Sequence, residues 1–292
     1  MSAAPREKRA QLAQRLKQPQ LVVAPGIFEL ISARIADRMG FDCLYMTGYG
    51  VVASHLGLPD AGLATYSDMV GRVAQIAKMT ATPFIADGDT GYGGLLNVQH
   101  AVQGYEAAGA CGIQLEDQEF PKKCGHMLGR RVIPAEDMAD KVRVAVDARS
   151  DPNFLVIART DARTTLGLDE ALRRAEAYAK AGADLLFVES PESLEEMRTI
   201  GERFDLPLVA NMVEKGRTPV LSRDELEKLG YRLAIFPVSA LLAAVKAMSG
   251  VYGHLASTGS SEGVPVPLED FGTLVRLMGF EDVWDFEKKH AE

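Results

Sequence analysis

The chain has 292 residues, of which 47% are hydrophobic and 25% charged, and its formal net charge is -8. Such a composition is typical of a soluble globular protein with a large core. The acidic balance argues against nucleic acid as the main partner, because neutralising phosphates requires a basic face. No apolar run approaches the roughly 18 residues that cross a bilayer, so no membrane partner is expected.

The N-terminal stretch "MSAAPREKRAQLAQRLKQPQ" lacks the apolar core of a secretory signal. It could be a mitochondrial presequence, but Glu7 and continuity with the fold favour a short amphipathic helix that caps the domain. The three cysteines, Cys43, Cys111 and Cys124, do not indicate a disulfide framework. Cys43 and Cys111 border apolar runs and are expected to be small buried residues. We therefore expect a reducing, cytoplasmic compartment.

Eight short apolar runs recur along the chain, and helical patterns separate them. In chain order they are "LVVAPG" (21–26), "RMGFDCLYMT" (38–47), "PFIADGD" (83–89), "AAGACGIQLE" (107–116), "FLVIART" (154–160), "KAGADLLFVE" (180–189), "LPLVANM" (206–212) and "KLGYRLAIFP" (228–237). In four of them a glycine stands where the preceding helix should end in a left-handed backbone. The apolar stretches are continuous rather than alternating, which is typical of parallel strands buried on both faces.

The clearest intervening helix is predicted over residues 168–181, where apolar side chains share one face. We expect Asp169 or a neighbour to cap its start and Gly182 to end it. Strands that alternate with helices form parallel βαβ units. Eight units favour an α/β fold of the (β/α)8 TIM barrel type, one domain over residues 1–292 with a C-terminal helical extension from about residue 241. A doubly wound sheet is the structural alternative.

Polar groups gather where the predicted strands end, although the strands themselves are almost free of charge. Active sites of (β/α)8 barrels lie at this edge. The end positions hold Thr47, Tyr49, Asp87, Asp89, Glu116, Arg159, Asp161, Glu189, Asn211 and, just past Pro237, Ser239. Any one of them could be a solvated loop residue, but the set is expected to converge on one rim.

The segment "ADGDTGYGG" places Asp87 and Asp89 on either side of Gly88 at one strand end, and Glu116 ends the next strand. Three crowded carboxylates repel one another unless a cation lies among them, and oxygen donors suit Mg²⁺, with Mn²⁺ also compatible. The glycines allow the backbone to approach a ligand closely. The alternative is that these acids cap the helices that follow.

Four segments together resemble the isocitrate lyase and phosphoenolpyruvate mutase superfamily: "GYGVVASHLGLPD", "ADGDTGYGG", "LEDQEFPKKCGH" and "IARTDA". The likeness runs from about residue 21 to residue 239. The "KKCGH" loop resembles the carbon–carbon lyase branch, which includes 2-methylisocitrate lyases, 2,3-dimethylmalate lyases and the plant petal death protein. Sequences called carboxyvinyl-carboxyphosphonate phosphorylmutase carry a similar loop, so that activity remains an alternative.

The resemblance implies a role for each matching residue. Mg²⁺ would bind near Asp87, Asp89 and Glu116 and chelate a pyruvate-like unit. Contacts with a small di- or tricarboxylate are implied for Thr47, Gly48, Tyr49, Asp60, Gly125, His126, Arg159, Glu189 and Asn211. Exchange of the eighth barrel helix between subunits would give a homotetramer of paired dimers.

The resemblance also implies cleavage of a 2-hydroxy dicarboxylate into a 2-oxo acid and a carboxylate enediolate. Cys124 would deliver the proton, and Lys122, Lys123 and His126 would lower the pKa of its thiol and position the substrate carboxylate. The general base is open between Tyr49 and a carboxylate of the metal cluster.

The stretch "PKKCGHMLGRR" (121–131) is interpreted as a catalytic lid whose four cations serve a small dianionic substrate. Gly125 and Gly129 are suitable hinges, and closure would exclude water from an enediolate. A solvated basic loop is the plain alternative. It is disfavoured because Cys124 and His126 follow directly on the strand that ends in Glu116.

Departures from the family bear on the substrate. Methylisocitrate lyases follow the histidine with Arg-Pro-Asn, where this chain has "MLG", and isocitrate lyases place serines where this chain has Met212 and Val213. Fewer anchors for a third carboxylate favour a 2-alkylmalate or 2,3-dimethylmalate over 2-methylisocitrate. Pro237 stands where oxaloacetate hydrolases of the family carry a serine, although Ser239 is close. An oxaloacetate hydrolase or decarboxylase, and a regulatory barrel without catalysis, are the competing hypotheses.

Overall fold

A computed structural model describes residues 4–291 of the chain, which forms two compact units, Met1–Ala240 and Leu241–Glu292. The first unit holds a closed barrel of eight parallel strands, each paired with the next and the last with the first. The strands are β1 (Val22–Ile27), β2 (Leu44–Met46), β3 (Phe84–Asp87), β4 (Gly112–Glu116), β5 (Leu155–Thr160), β6 (Leu185–Val188), β7 (Leu208–Asn211) and β8 (Tyr231–Phe236). The predicted (β/α)8 barrel is confirmed, and the doubly wound sheet is wrong because the sheet closes on itself.

Helices alternate with the strands along the chain. They are α1 (Pro5–Arg15), α2 (Leu30–Asp37), α3 (Gly48–Val51) with a π-helical turn (Val52–Leu56), α4 (Tyr66–Met79), α5 (Leu95–Ala108), α6 (Ala135–Ala148), α7 (Arg163–Leu166), α8 (Leu168–Lys180), α9 (Leu194–Arg203), α10 (Arg223–Lys228) and α11 (Ser239–Thr258). The four predicted helix-ending glycines have positive φ angles, 75° at Gly40, 105° at Gly109, 102° at Gly182 and 89° at Gly230.

The start of α8 corrects one expectation. Asp169 does not cap the helix, because Gly167 occupies the N-cap position and no side chain accepts a hydrogen bond there. Asp169 instead lies in the first turn, where its negative charge interacts favourably with the helix dipole.

Apolar side chains pack in two layers, one between the strands and the helices and one inside the barrel. Leu12 and Leu16, at the end of α1, belong to the inner layer. Cys43 and Cys111 lie in the same layer and are fully buried, as predicted. Helix α1 therefore covers the amino ends of the strands, which confirms the predicted capping helix and leaves the polar strand ends at the opposite rim.

The second unit is helical and contains α12 (Phe271–Leu277) and α13 (Phe280–His290) after the remainder of α11. None of its described residues is buried. Its exposed large apolar side chains include Leu242, Val245, Met248, Tyr252, Leu268, Phe271, Phe280, Trp284 and Phe286. Across residues 4–291, no helix is both long enough and apolar enough to cross a membrane.

Candidate active site

The three predicted metal-binding acids lie together at the carboxyl ends of β3 and β4. Asp87 accepts hydrogen bonds from the backbone N–H groups of Gly48, at 3.2 Å, and Asp89, at 3.1 Å. Asp89 has a φ of 47°, a left-handed conformation that is uncommon for a residue with a side chain. The backbone N–H of Glu116 donates to the carbonyl of Asp89 at 2.9 Å, so this turn is bonded directly to the neighbouring strand.

Lys122 is the cation of this acidic cluster. Its Nζ lies 2.5 Å from Asp60 Oδ1 and 2.6 Å from Asp89 Oδ1, and its side chain is buried. Burial alone would lower the pKa of Lys122, but the charges of Asp89, Glu116 and Asp60 raise it well above its ordinary value. The ammonium group therefore stays charged and ties the segment after β4 to the acids.

The nearby cations do not fully offset the burial of Asp87 and Glu116. Burial, followed by the charge of Asp89, raises the pKa of Asp87, and burial raises that of Glu116 well above its usual range despite nearby Arg159. Asp89 Oδ1 accepts no hydrogen bond of acceptable geometry from any residue in the described range, although Lys122 is close. A cation placed here would favour the ionised form of these acids.

The alternative that these acids cap helices is wrong, because Gly94 and Pro134 occupy the N-cap positions of α5 and α6. Within residues 4–291, no group of three His, Cys, Asp or Glu side chains is arranged to hold a metal ion by itself. Any ion bound at this site would need further oxygen ligands, and Mg²⁺ usually keeps several waters or substrate oxygens.

A fixed guanidinium faces the acidic cluster from β5. Arg159 donates from Nε and Nη2 to the carboxylate of Asp161, both at 2.9 Å, and its Nη1 lies 3.3 Å from Glu116 Oε2. Its Nη2 is also 3.6 Å from Glu189 Oε2. Burial opposes the charge, but Asp161, Glu116 and Glu189 raise the pKa of Arg159 well above its ordinary value. Such a preoriented guanidinium suits recognition of a carboxylate.

Glu189 and Asn211, at the ends of β6 and β7, form a polar wall beside Arg159. Asn211 Nδ2 donates to Glu189 Oε2 at 3.0 Å, while the buried Asn211 Oδ1 has no hydrogen-bond donor among the described residues. Ser190 Oγ lies 2.9 Å from Glu189 Oε1 and 3.0 Å from the carbonyl of Gly125. The wall thus contacts the segment after β4 and leaves one acceptor free for a ligand.

Residues 122–126 lie closed over these groups. The backbone N–H of Cys124 donates to the carbonyl of Asp60 at 3.3 Å. At Gly125 a Cβ atom would overlap Arg159 and come within 2.9 Å of the Glu189 carboxyl carbon, so the segment can approach this closely only with glycine. His126 Nε2 lies 3.5 Å from Glu189 Oε1. Cys124, Gly125 and His126 are therefore brought to the site as predicted.

The expectation that Lys122, Lys123 and His126 lower the pKa of Cys124 is wrong for this closed arrangement. Burial raises the pKa of Cys124 to about 11, and the charges of Asp60 and Glu189 add to the effect of burial. The two lysines do not offset this rise, because Lys122 is held by carboxylates and Lys123 Nζ contacts the Gly129 carbonyl at 3.1 Å. Cys124 is thus a protonated thiol at neutral pH, which is the form that a proton donor needs.

The two arginines of the stretch do not serve a substrate, contrary to expectation. Arg130 is buried, pairs with Asp161 and donates to Thr164 Oγ1 at 2.5 Å. Arg131 is exposed and pairs with Glu119 at 2.7 Å. Arg130 therefore anchors the far end of the segment to the acid that orients Arg159, and Arg131 remains at the surface.

The turn after β2 is only partly directed at the cluster. Thr47 caps α3, and a Cβ at Gly48 would lie 2.6 Å from Asp87 Oδ2. Tyr49 is 40% exposed. Ser239 hydrogen-bonds to Glu214 instead of facing the acids. Thr47 and Gly48 are thus at the site, Ser239 is bonded to Glu214, and the role of Tyr49 stays a prediction.

Sequence reasoning overlooked several residues that support the site. Gln114 Nε2 lies 3.4 Å from Asp87 Oδ1, and its Oε1 accepts from Tyr45 Oη at 3.0 Å. Gln118 Nε2 donates to Glu116 Oε1 at 2.9 Å and to the Lys123 carbonyl at 2.8 Å. A glutamine inside the apolar strand "GIQLE" was an available signal for Gln114, whereas Gln118 has no comparable signal.

A family model described as phosphoenolpyruvate phosphomutase matches residues 12–256. The chain belongs to this family. It is 47% identical to the 2,3-dimethylmalate lyase of Eubacterium barkeri, with 97% of this chain and 98% of that protein covered. It is 40% identical to the 2-methylisocitrate lyase of Aeropyrum pernix, with coverages of 96% and 89%. Family membership agrees with the resemblance carried by the four motifs.

Solved structures of family relatives share the whole fold. An oxaloacetate acetylhydrolase complexed with 3,3-difluorooxalacetate has a TM-score of 0.92 at 33% identity, covering 98% of both chains. A 2,3-dimethylmalate lyase, described as a PEP mutase/isocitrate lyase superfamily member, has a TM-score of 0.90 at 36% identity, covering 97% of this chain and 95% of that chain. A phosphonopyruvate hydrolase complexed with oxalate and Mg²⁺ has a TM-score of 0.88 at 29% identity, covering 100% of both chains.

Proposed function

We propose that this chain is a Mg²⁺-dependent carbon–carbon lyase. Its substrate would be a 2-hydroxy dicarboxylate of the 2-alkylmalate or 2,3-dimethylmalate type, with 2-methylisocitrate as the tricarboxylate variant, and its products a 2-oxo acid and a second carboxylate. The observation that carries this proposal is the closed segment that brings Cys124 and Arg159 to the buried carboxylates of Asp87, Asp89 and Glu116. The identity of 47% to a 2,3-dimethylmalate lyase supports the same reaction class.

Asp87, Asp89 and Glu116 would hold the metal, with Mn²⁺ able to replace Mg²⁺. Their oxygen donors suit a hard cation, and Asp89 Oδ1, which is paired with Lys122 Nζ at 2.6 Å, lies among them. When bound, the cation would act as a Lewis acid that stabilises negative charge on the substrate oxygens. A structural relative complexed with oxalate and Mg²⁺ supports this choice of ion.

Each protein residue would then have a separate role in the cleavage reaction. Arg159 and the free acceptor of Asn211 would orient the substrate, while Lys122 would keep Asp60 and Asp89 in place. Loss of the hydroxyl proton lets the C2–C3 bond break; its electron pair stays on the departing carboxylate fragment as an enediolate. Cys124 Sγ–H then protonates that carbon. The closed segment would exclude water during this step.

We assign the general base to a carboxylate of the cluster rather than to Tyr49. Tyr49 is 40% exposed, whereas the acids are buried at the strand ends. A carboxylate beside a bound cation stays ionised at neutral pH, which is the form that accepts a proton. Tyr49 would then contact the substrate without acting as the general base.

The preference for an alkyl-substituted dicarboxylate is supported by the surface beside His126. A cavity of about 410 Å³ is lined there by His126, Met127, Leu128, Lys215, Gly216 and Arg217. Met127 and Leu128 present apolar side chains where methylisocitrate lyases carry a basic one. Lys215 and Arg217 line the same cavity, so the preference rests on the absence of a basic residue directly after His126 and not on the cavity as a whole.

Oxaloacetate hydrolysis is the second candidate, because an oxaloacetate acetylhydrolase superposes with a TM-score of 0.92. Pro237 follows β8 where hydrolases carry a serine, and Ser239 is engaged by Glu214. Both features disfavour that reaction here. Two further activities, that of a carboxyvinyl-carboxyphosphonate phosphorylmutase and that of an oxaloacetate decarboxylase, are alternatives on the same barrel that involve a different reaction.

We also propose a homotetramer built from dimers that exchange the C-terminal helix. The exposed apolar side chains of residues 241–291 support association, because a monomer rarely leaves this much apolar surface in water. The free thiols of Cys43, Cys111 and Cys124 support a cytoplasmic setting. Light scattering with the full chain would test the assembly.

A substrate panel tests the function. Wild-type protein with Mg²⁺ would be given 2,3-dimethylmalate, 2-alkylmalates, 2-methylisocitrate, oxaloacetate and a phosphonate, and 2-oxo acid release would be measured. We expect a 2-oxo acid from a malate derivative, abolition by EDTA and recovery with Mg²⁺. Turnover of oxaloacetate or the phosphonate alone would overturn the lyase proposal.

A further inference from the structure

The loop between β7 and α10 contacts the imidazole of His126 through two consecutive residues. The backbone N–H of Arg217 donates to His126 Nδ1 at 3.2 Å. Gly216 lies against the same ring, because a Cβ there would come within 2.8 Å of Nδ1 and 2.9 Å of Cε1. Lys215 precedes them with a φ of 58°, a left-handed turn that brings the loop back to the ring. The loop thus fixes both the position and the rotation of the imidazole.

The contact also determines which ring nitrogen carries the proton. A backbone N–H can only donate, so His126 Nδ1 accepts, and the proton of the neutral ring lies on Nε2. Burial lowers the pKa of His126 and outweighs the opposing charge of Glu189, so the neutral ring is favoured. Nε2 lies 3.5 Å from Glu189 Oε1 and 3.3 Å from Asn211 Nδ2, and of these two atoms only the carboxylate oxygen accepts.

We propose that Gly216 and Arg217 are positioning residues that hold His126 as its Nε2–H tautomer, so that the ring donates a hydrogen bond into the site and does not act as a base. When substrate binds, the Nε2–H of His126 would donate to a substrate oxygen instead of to Glu189. This inference deepens the proposed function and rests on it for the identity of that substrate. The tautomer itself is a property of the chain alone.

The loop is held in place independently of His126. Arg217 Nη1 lies 2.9 Å from Glu192 Oε1, and Arg163 Nη1 lies 2.7 Å from the same oxygen. These ion pairs join the loops that follow β5, β6 and β7 on the outer side of the site. Because they are partly exposed, their contribution to stability is small, and their loss should leave the Arg217 N–H in position.

Two variants of Arg217 distinguish the effect of its backbone N–H from the effect of its side chain. Arg217→Pro removes the N–H, and Arg217→Ala retains it while removing the ion pair with Glu192. We expect Arg217→Pro to lower kcat about tenfold, the usual consequence of one lost hydrogen bond, and Arg217→Ala, which keeps the backbone N–H, to lower kcat clearly less than Arg217→Pro. Gly216→Ala should resemble Arg217→Pro, because its methyl group would displace the ring.

Histidine labelled with ¹⁵N gives the deciding readout, with His126→Gln used to assign the signals. We expect a protonated Nε2 and an unprotonated, hydrogen-bonded Nδ1 in wild type and Arg217→Ala, and a mixture of tautomers in Arg217→Pro. His126→Gln, whose amide can donate, should keep more activity than His126→Ala. Proton occupancy on Nδ1 in the wild type, or equal inactivity of the two His126 variants, would overturn the inference. If no substrate is cleaved at all, the proposed function fails and the spectrum still decides the tautomer.

Discussion

Glu116 and Asp117 are neighbours in the chain and both buried, but they belong to different kinds of cluster. The carboxylate of Asp117 accepts from Thr160 Oγ1 and Tyr178 Oη, both at 2.7 Å, and from Arg174 Nη1 at 3.1 Å. Its second oxygen accepts from the backbone N–H of Asp161 at 2.9 Å. Every oxygen of this acid therefore has a donor, and the cluster holds the barrel wall to α8.

The cluster around Glu116 is incomplete by comparison. Asn211 Oδ1 is buried without a hydrogen-bond donor among the described residues, Asp89 Oδ1 is paired with Lys122 Nζ at 2.6 Å outside good hydrogen-bond geometry, and Asp89 has a left-handed backbone. Buried polar atoms are nearly always bonded in folded proteins, so an unbonded acceptor at the strand ends supports the proposed ligand site. The difference favours a structural role for the cluster of Asp117 and, as proposed above, a ligand-binding role for the cluster of Glu116.

Asp89→Asn should give the largest effect on activity. Removing one charge from the metal cluster is expected to lower turnover about 10³-fold, as for other losses of transition-state electrostatics. Urea unfolding should change by less than about 1 kcal/mol, because Lys122 retains Asp60 as a partner. Steady-state 2-oxo acid release measures the first expectation. The control is Asp140→Asn, which changes the exposed ion pair with Arg143. Activity of Asp89→Asn equal to that of Asp140→Asn would contradict a functional role for the cluster of Glu116.

Asp117→Asn should give the largest effect on stability. The variant leaves Arg174 buried with a weaker partner and disturbs four hydrogen bonds, which is expected to cost about 3–5 kcal/mol of unfolding free energy. Chemical denaturation with urea measures this loss. The folded fraction should keep its kcat within a few-fold. A stable but inactive Asp117→Asn protein would reverse the assignment of the two clusters.

Alkylation of Cys124 tests the protonated thiol. With a pKa of about 11, the thiolate fraction grows as pH rises and is complete only above that value, so the rate constant with iodoacetamide should increase about tenfold per pH unit from pH 7 to about 10. Mass spectrometry of the peptide that contains Cys124 follows the reaction. An ordinary thiol, with a pKa of about 8.5, would reach a plateau near pH 9. Such a plateau would contradict the burial effect.

The surface cations should give the smallest effects. Lys123→Ala and Arg131→Ala remove exposed charges whose partners are the Gly129 carbonyl and Glu119, so kcat/KM should stay within about twofold of wild type. Lys122→Ala is the matched variant, because its ammonium group is buried against Asp60 and Asp89. If Lys123→Ala lost as much activity as Lys122→Ala, both lysines would face the substrate.

The barrel was predictable because its determinants are local. Continuous apolar runs specify buried parallel strands, and Gly40, Gly109, Gly182 and Gly230 end helices through their own backbone freedom. The polar strand ends were predictable for the same reason, since closing the barrel brings every strand end to one rim. Thus Asp87, Glu116 and Arg159 could be placed from the sequence.

Properties that arise from tertiary packing were not predictable. Neighbouring cations in the chain suggested a low pKa for Cys124, but the fold directs those cations elsewhere and buries the thiol. The anchoring of Arg130 on Asp161 depends on a contact across 31 positions of the chain. The contact of Arg217 with His126 spans 91 positions. Spacing in the sequence carries no signal for such pairs.

Calorimetric titration with oxalate tests most directly the claim that the cluster of Glu116 is a metal and substrate site. We expect oxalate to bind the wild-type protein in the presence of Mg²⁺ but not with EDTA, Asp89→Asn to lose this binding, and folded Asp117→Asn to keep it. Oxalate binding that is independent of Mg²⁺, or unchanged in Asp89→Asn, would show that this cluster is not the metal and substrate site.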